Sequence, residues 1–97
     1  MKAIWNNKII AESESTIVIE GNHYFPLESV KKECIRESEH TTECIWKGTA
    51  NYYDVVVGEE INDNAGWYYK QPKEGSVERV GQDFSNYVAF WNGVIVE

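Results

Sequence analysis

A long β-strand is predicted at Thr49-Ala50-Asn51-Tyr52-Tyr53-Asp54-Val55-Val56-Val57. Aromatic and β-branched residues favour pleated, half-buried surfaces, and they dominate this stretch. Turn-forming residues follow it, and Ala65-Gly66-Trp67-Tyr68-Tyr69 then predicts a second strand that returns antiparallel to the first. Together the two segments predict an antiparallel sheet in the middle of the chain.

Side chains alternate along a strand, so Tyr52 and Tyr53 are expected on opposite faces of this sheet. On the returning strand, Trp67 and Tyr69 share one face, and Tyr68 lies on the other. One set of rings can fill a core. The other set is then left on a face that a second sheet covers only in part.

Further out, both ends of the chain predict a β-hairpin. Near the N-terminus, two apolar runs flank Asn6-Asn7, and asparagine tolerates the positive φ angles of a type I′ turn. Near the C-terminus, Ala89-Phe90-Trp91 and Val94-Ile95-Val96 flank Asn92-Gly93, the strongest short hairpin signal. These patterns predict a mainly β fold.

Between these segments the sequence predicts one short helix near residues 26–33. Pro26 suits the first position of a helix, and Leu27, Val30 and Cys34 form an apolar stripe at helical spacing. Residues 36–43 are mostly polar and acidic, which predicts a solvated segment.

A single helical turn is also predicted at residues 76–80. Ser76 is expected to cap its start, and Gly81 is expected to end it.

Composition limits the classes of function. The chain has 97 residues, which predicts a single domain over residues 1–97. Sixteen Asp and Glu against nine Lys and Arg give a formal net charge of −7, which disfavours binding to nucleic acid and to anionic membranes. Two cysteines and the lack of a long apolar run predict a soluble, cytoplasmic protein. We expect it to be a monomer or a weak homodimer.

Four segments resemble the bacterial DUF427 family. They are Glu20-Gly21-Asn22-His23-Tyr24-Phe25-Pro26, residues 44–55, Ala65-Gly66-Trp67-Tyr68-Tyr69 with Pro72, and residues 88–94. The resemblance spans the chain in order and departs at Ile45, where the family often has Pro. It implies a small β-tent (Mss4-like) fold, two antiparallel sheets pinned at one edge, with no established function.

Metal chemistry is not predicted. Many proteins with similar folds hold a structural zinc with two Cys-x-x-Cys pairs, and this chain has no such pair. Cys34, Cys44, His23 and His40 lack the spacing of a compact zinc site, so we expect no metal and no cofactor. A related fold is that of methionine sulfoxide reductase B, but no cysteine follows position 44, so that activity is not carried over.

The aromatic residues favour a binding function. Thirteen rings in 97 residues exceed what one small core is expected to bury, so some should line a groove that binds a small molecule or a peptide end. Lys47, expected to be an isolated cation beside Trp46, would anchor a carboxylate or phosphate. The predicted ligand-binding residues are Asn22, His23, Trp46, Lys47, Tyr53, Trp67, Tyr69 and Trp91.

Two alternatives stay open. In a small enzyme, His23 would be a general base, and Asp54 or Glu20 would orient it. In a protein-interaction module, exposed hairpin edges would pair with a partner. In a third interpretation, the aromatic residues and His23 only pack in the core and have no chemical role.

Overall fold

Runs of β-branched and aromatic residues form most of the strands in the computed structural model, which describes residues 1–97. All strand pairs are antiparallel, so the predicted mainly β fold with antiparallel sheets is confirmed. The strands are β1 (Lys2–Trp5), β2 (Lys8–Glu12), β3 (Ile17–Ile19), β4 (Asn22–Tyr24), β5 (Ile35–Cys44), β6 (Gly48–Val57), β7 (Glu60–Tyr68), β8 (Val88–Phe90) and β9 (Ile95–Val96).

The strands form three hydrogen-bonded groups where the sequence predicted two sheets. The central sheet has the order β5-β6-β7-β8, a second sheet has the order β2-β1-β9, and β3 pairs with β4 as a hairpin. The hairpin is joined to the edge of the central sheet because Phe25 and Val88 exchange backbone hydrogen bonds of 2.7 and 2.8 Å.

Two hydrophobic clusters occupy the two faces of the central sheet. On the first face, residues of the three-stranded sheet such as Ile10 pack with Tyr68. On the second face, Ile19 and Tyr24 of the hairpin pack with Tyr69. Because β3 and β4 have only three residues each, against ten in β6, the hairpin covers only part of the second face.

The N-terminal hairpin forms as predicted. Asn6 and Asn7 have φ angles of 51° and 63°, as a type I′ turn requires. The C-terminal hairpin is not formed, although Asn92 and Gly93 do make a turn. Strand β8 pairs with β7, and β9 pairs with β1, because the turn carries the chain from one sheet to the other.

The predicted acidic segment at residues 36–43 is part of the long edge strand β5. Most of its side chains are exposed, so the prediction of solvation is confirmed, but the sequence did not indicate that the segment is a strand. Charged and polar side chains are common on edge strands because they discourage pairing with other chains.

The predicted helix at residues 26–33 is replaced by two single 3₁₀ turns, at Leu27–Ser29 and Lys32–Cys34. Val30 between them is extended, with φ −94° and ψ 131°, and forms a β-bridge with Ala11. Lys31 also donates a 2.8 Å backbone hydrogen bond to Ile10. These contacts with β2 interrupt the helical hydrogen bonds that an α-helix would need.

The single α-helix, α1, spans Ser76–Val80. Gly81 ends it as predicted, with φ 89° and a backbone hydrogen bond to Val77. Ser76 is not its cap, because Gly75 takes that position and the Ser76 hydroxyl donates to the carbonyl of Lys73 at 2.6 Å.

Candidate functional site

A cleft of about 260 Å³ opens on the second face of the central sheet, where the β3–β4 hairpin leaves it uncovered. Strands β5, β6 and β7, the turn before β6 and the residues directly after β7 and β8 line it. We call this feature the aromatic cleft. Its lining residues are Thr42, Lys47, Ala50, Tyr52, Trp67, Tyr69 and Trp91.

The depth of the aromatic cleft follows from the exposure of its residues. Tyr69 and Lys47 are 4% and 5% exposed, so they form its base. Tyr52 and Trp67 are half-buried, and Trp91 at the rim is 53% exposed. None of the four tryptophans is buried, so the expectation that rings remain outside the core is met.

Trp67 is held in place by a cluster of rings beneath it. Its indole N–H donates a 3.0 Å hydrogen bond to the hydroxyl of Tyr24, which is fully buried. The two rings meet edge to face with centroids 6.1 Å apart, and Tyr24 also packs against Tyr69 and Phe84. The wall of the cleft is therefore continuous with the core.

Trp91 is exposed but fixed. Its indole N–H donates a 2.7 Å hydrogen bond to the carbonyl of Asn64, and its backbone N–H donates to Ala65 at 2.9 Å. On the opposite side, the hydroxyls of Thr42 and Tyr52 are 3.1 Å apart. The rim of the cleft thus combines an anchored indole with hydroxyl groups.

Lys47 is not the isolated cation that the sequence predicted. Its ammonium group is hydrogen-bonded to the carboxylate of Glu20 and lies 5.3 Å from the ring centroid of Tyr69 and 5.4 Å from that of Trp46. Burial is the largest single effect and disfavours the charged form, but the hydrogen bond with Glu20, the effects of Tyr24 and Tyr69 and the charge of Glu20 together outweigh it, so the pKa of Lys47 is raised. Lys47 therefore keeps its charge at the base of the cleft.

The phenol of Tyr69 is neutral at physiological pH. Burial raises its pKa to about 12, with a further contribution from Tyr24, while the nearby charge of Lys47 acts in the opposite direction. A neutral hydroxyl can donate a hydrogen bond as well as accept one.

The structure places the eight predicted ligand-binding residues in different regions. Lys47, Trp67, Tyr69 and Trp91 meet in the aromatic cleft. The other four lie elsewhere: Trp46 lines a second cleft, Tyr53 is buried on the first face of the sheet, and Asn22 and His23 lie on β4.

Tyr53 is stacked on Tyr68 with ring centroids 4.4 Å apart, inside the first hydrophobic cluster. Tyr52 is the tyrosine of β6 that reaches the aromatic cleft, because it lies directly opposite Trp67 in the strand register. Thr42, Ala50 and Tyr52 are the cleft residues that the sequence prediction missed. The alternation along β6 was available as a signal for Ala50 and Tyr52, but the register between the strands was not.

The three residues of the alternative enzyme hypothesis have separate partners. His23 Nδ1 is 2.9 Å from the hydroxyl of Thr16. Asp54 binds Arg36 at 2.9 Å and accepts a 2.9 Å hydrogen bond from the backbone N–H of Asn64.

Glu20, the third of them, binds Lys47. Neither carboxylate orients the imidazole of His23 through a hydrogen bond.

The cysteines belong to different clusters. Cys34 is buried in the first hydrophobic cluster, and Cys44 is half-buried against the second. No group of three or more His, Cys, Asp and Glu side chains is close enough to share a metal ion. The structure also has no helix of the length and hydrophobicity needed to span a bilayer.

Comparison with curated proteins finds no match. Comparison with protein families finds one whose description is a domain of unknown function, DUF427, and its model matches residues 1–97. The resemblance of the four sequence segments is thereby confirmed over the whole chain. This chain belongs to the DUF427 family.

Proposed function

We propose that the chain binds a small molecule or a peptide end in the aromatic cleft. The observation that carries this proposal is the meeting of four aromatic rings and one charged, nearly buried lysine around a single open space. Binding sites for small ligands combine apolar walls with a few fixed polar groups in this way. We also propose that the fold is of the β-tent (Mss4-like) type, as the sequence resemblance implies.

The volume of the cleft sets the size of the ligand. About 260 Å³ is close to the lower end of the volumes typical of small-molecule sites. This supports a ligand of a few fused or linked rings, or the last one or two residues of a peptide. A flat ligand group would stack on Trp67 or Trp91, whose positions are fixed by hydrogen bonds to Tyr24 and Asn64.

Lys47 and Tyr69 define the polar anchor. An ammonium group has three N–H donors, and Glu20 accepts from one of them. The ligand would therefore present a hydrogen-bond acceptor, a carbonyl or a carboxylate, to the base of the cleft. Because Glu20 already balances the charge of Lys47, a carboxylate would gain less from Lys47 than it would from an unpaired lysine.

The wider setting of the proposal is a ligand-binding protein of the cytoplasm that acts as a monomer or a weak homodimer. Two free cysteines are consistent with a reducing compartment. The net charge of −7 favours ligands other than nucleic acids and anionic membranes.

The test is a thermal-shift screen with a library of metabolites and short peptides, followed by tryptophan fluorescence titration of each hit. Trp91→Ala is the first variant because Trp91 is half-exposed and its loss should leave the core intact. Trp67→Ala tests the wall of the aromatic cleft, and Lys47→Ala tests its base. Ile61→Ala is the control, because Ile61 is 47% exposed and lies outside the cleft.

We expect ligands whose binding is lost or strongly weakened in the three cleft variants and kept in Ile61→Ala. The proposal is wrong if no compound binds, or if every compound that binds does so equally well after both tryptophans are removed.

A further inference from the structure

A second cleft, of about 300 Å³, lies beside the aromatic cleft and does not share its lining residues. The turn between β5 and β6 forms one side of it, and the loop before α1 together with α1 forms the other. We call it the Arg79 cleft. Its lining residues are Ile45, Trp46, Lys73, Glu74, Gly75, Ser76 and Arg79.

Arg79 is an exposed arginine in a fixed position. Its guanidinium carbon lies 4.2 Å from the ring centroid of Trp46, which is the geometry of a cation–π contact. No carboxylate lies within 4.0 Å of its nitrogen atoms, since the two ion pairs of the chain are Arg36–Asp54 and Lys47–Glu20. Its side-chain N–H groups also have no hydrogen-bond acceptor within the protein. Trp46 thus orients the guanidinium plane of Arg79, and the N–H donors of that group are free to bind another molecule.

Lys73 supplies a second cation to the same cleft. Its ammonium group donates a 2.9 Å hydrogen bond to the carbonyl of Ile45, which holds the side chain across the cleft. Two N–H donors remain, and no carboxylate is paired with them. Glu74 also lines the cleft, is exposed, and forms no ion pair with either cation.

Two cations without a carboxylate partner therefore line one cleft of a chain whose net charge is −7. A guanidinium fork supported on an indole matches the two oxygens of a carboxylate or a phosphate.

The carboxylate of Glu20 is stabilised near Trp46, chiefly by Lys47. The hydrogen bond from Lys47 lowers the pKa of Glu20 despite the opposing effect of burial, and Trp46 and the charge of Arg79 add smaller contributions in the same direction. The carboxylate of Glu20 is therefore bound by Lys47 and forms no ion pair with Arg79.

We infer that the Arg79 cleft binds an oxyanion, a carboxylate or a phosphate group, with Arg79 as the bidentate donor and Lys73 as the second cation. Trp46 holds the guanidinium in place and does not contact the anion through its own hydrogen bonds. This site is separate from the aromatic cleft and does not depend on the function proposed for it.

The test uses acetate and inorganic phosphate as probes, each titrated at constant ionic strength with chloride as the balancing anion. Proton–nitrogen NMR follows the indole N–H of Trp46 and the side-chain Nε–H of Arg79. We expect a saturable shift of both signals with at least one probe. Saturation by acetate alone identifies a carboxylate site, and saturation by phosphate alone identifies a phosphate site.

Three variants complete the experiment. Arg79→Gln should weaken binding by about tenfold or more, because a charge-assisted pair of hydrogen bonds is lost. Arg79→Lys keeps the charge without the fork, so its affinity should fall between those of the original chain and Arg79→Gln. Lys32→Gln makes the same change of net charge at an exposed position outside the cleft and should bind normally.

The inference is wrong if Arg79→Gln binds acetate or phosphate as tightly as the original chain. It is also wrong if the NMR signals shift linearly with both probes in every variant, because a linear shift shows no saturable site. Trp91→Ala separates the two sites, because it should leave oxyanion binding intact even where it abolishes binding in the aromatic cleft. Melting curves of Arg79→Gln and Arg79→Lys are the control for folding, and both variants should melt near the temperature of the original chain because Arg79 is exposed.

Discussion

The carboxylate of Glu20 is bound to the nearly buried ammonium of Lys47, and Glu20 reaches it from a backbone with a φ angle of +54°. Glu20 and Gly21 form the two-residue turn between β3 and β4, where both φ angles are positive. Asparagine and glycine are the usual residues of such a turn. Glutamate is therefore unfavourable for the turn itself, and its side chain accounts for its presence because it balances the charge of Lys47.

The first prediction separates the turn from the ion pair. Glu20→Gln should lower the free energy of unfolding by about 1–2 kcal/mol, less than a fully buried pair would lose, because the Glu20 side chain is 53% exposed. Glu20→Asn removes the same charge but suits the turn, so it should be more stable than Glu20→Gln by about 0.5–1 kcal/mol. Urea denaturation of both variants measures the difference. Equal stability would mean that the turn conformation has no cost.

The second prediction concerns pH. The hydrogen bond from Lys47 holds the pKa of Glu20 below its ordinary value. The ion pair therefore contributes its full stability above the ordinary pKa of a glutamate, about 4.3, and loses it as the pH falls through the lower pKa of the folded state. The difference in unfolding free energy between the original chain and Glu20→Gln should be constant near neutral pH and should shrink at acid pH. Glu14→Gln, at an exposed glutamate without a partner, should show no such dependence.

The third prediction assigns Asp54 to structure. Its carboxylate accepts a hydrogen bond from the backbone N–H of Asn64, at the point where the register between β6 and β7 shifts. Asp54→Ala should therefore cost about 1–3 kcal/mol, because a backbone donor loses its acceptor. Asp54→Asn keeps an acceptor oxygen and loses only the pair with Arg36, whose side chain is 56% exposed, so it should cost less than about 1 kcal/mol. Thermal denaturation of the two variants tests this, and equal losses would contradict it.

The fourth prediction concerns the wall of the aromatic cleft. Tyr24→Phe removes the acceptor of the Trp67 indole without changing the packing of the ring. We expect a loss of about 0.5–1.5 kcal/mol in unfolding free energy and a changed chemical shift for the Trp67 indole N–H. The indole N–H of Trp91, which donates to Asn64, should keep its shift and is the internal control.

Local features of the fold could be predicted well. The turn at Asn6-Asn7, the end of α1 at Gly81 and the opposite orientation of Trp67 and Tyr68 all follow from backbone preferences that act over a few residues. The same alternation predicted that Tyr52 and Tyr53 would lie on opposite faces of β6, and they do.

The candidate site could be predicted only in part. Four of its residues were expected, but Tyr53 was chosen in place of Tyr52 because the choice depends on how β6 is aligned with β7. A shift of one residue in that alignment would bring the other tyrosine beside Trp67. Lys47 was expected to be free because nothing in the order of residues shows that Glu20, 27 positions earlier, reaches it.

Sequence alone therefore determined the main strands β6 and β7, the turn at Asn6-Asn7 and the abundance of rings, since each depends on neighbouring residues. Tertiary structure decided the partners: β9 pairs with β1, Val30 bridges to Ala11 where a helix was expected, and Glu20 meets Lys47. The physical reason is that several strand pairings and side-chain contacts fit the same local sequence pattern. Burial and hydrogen bonding across the whole chain select one of them.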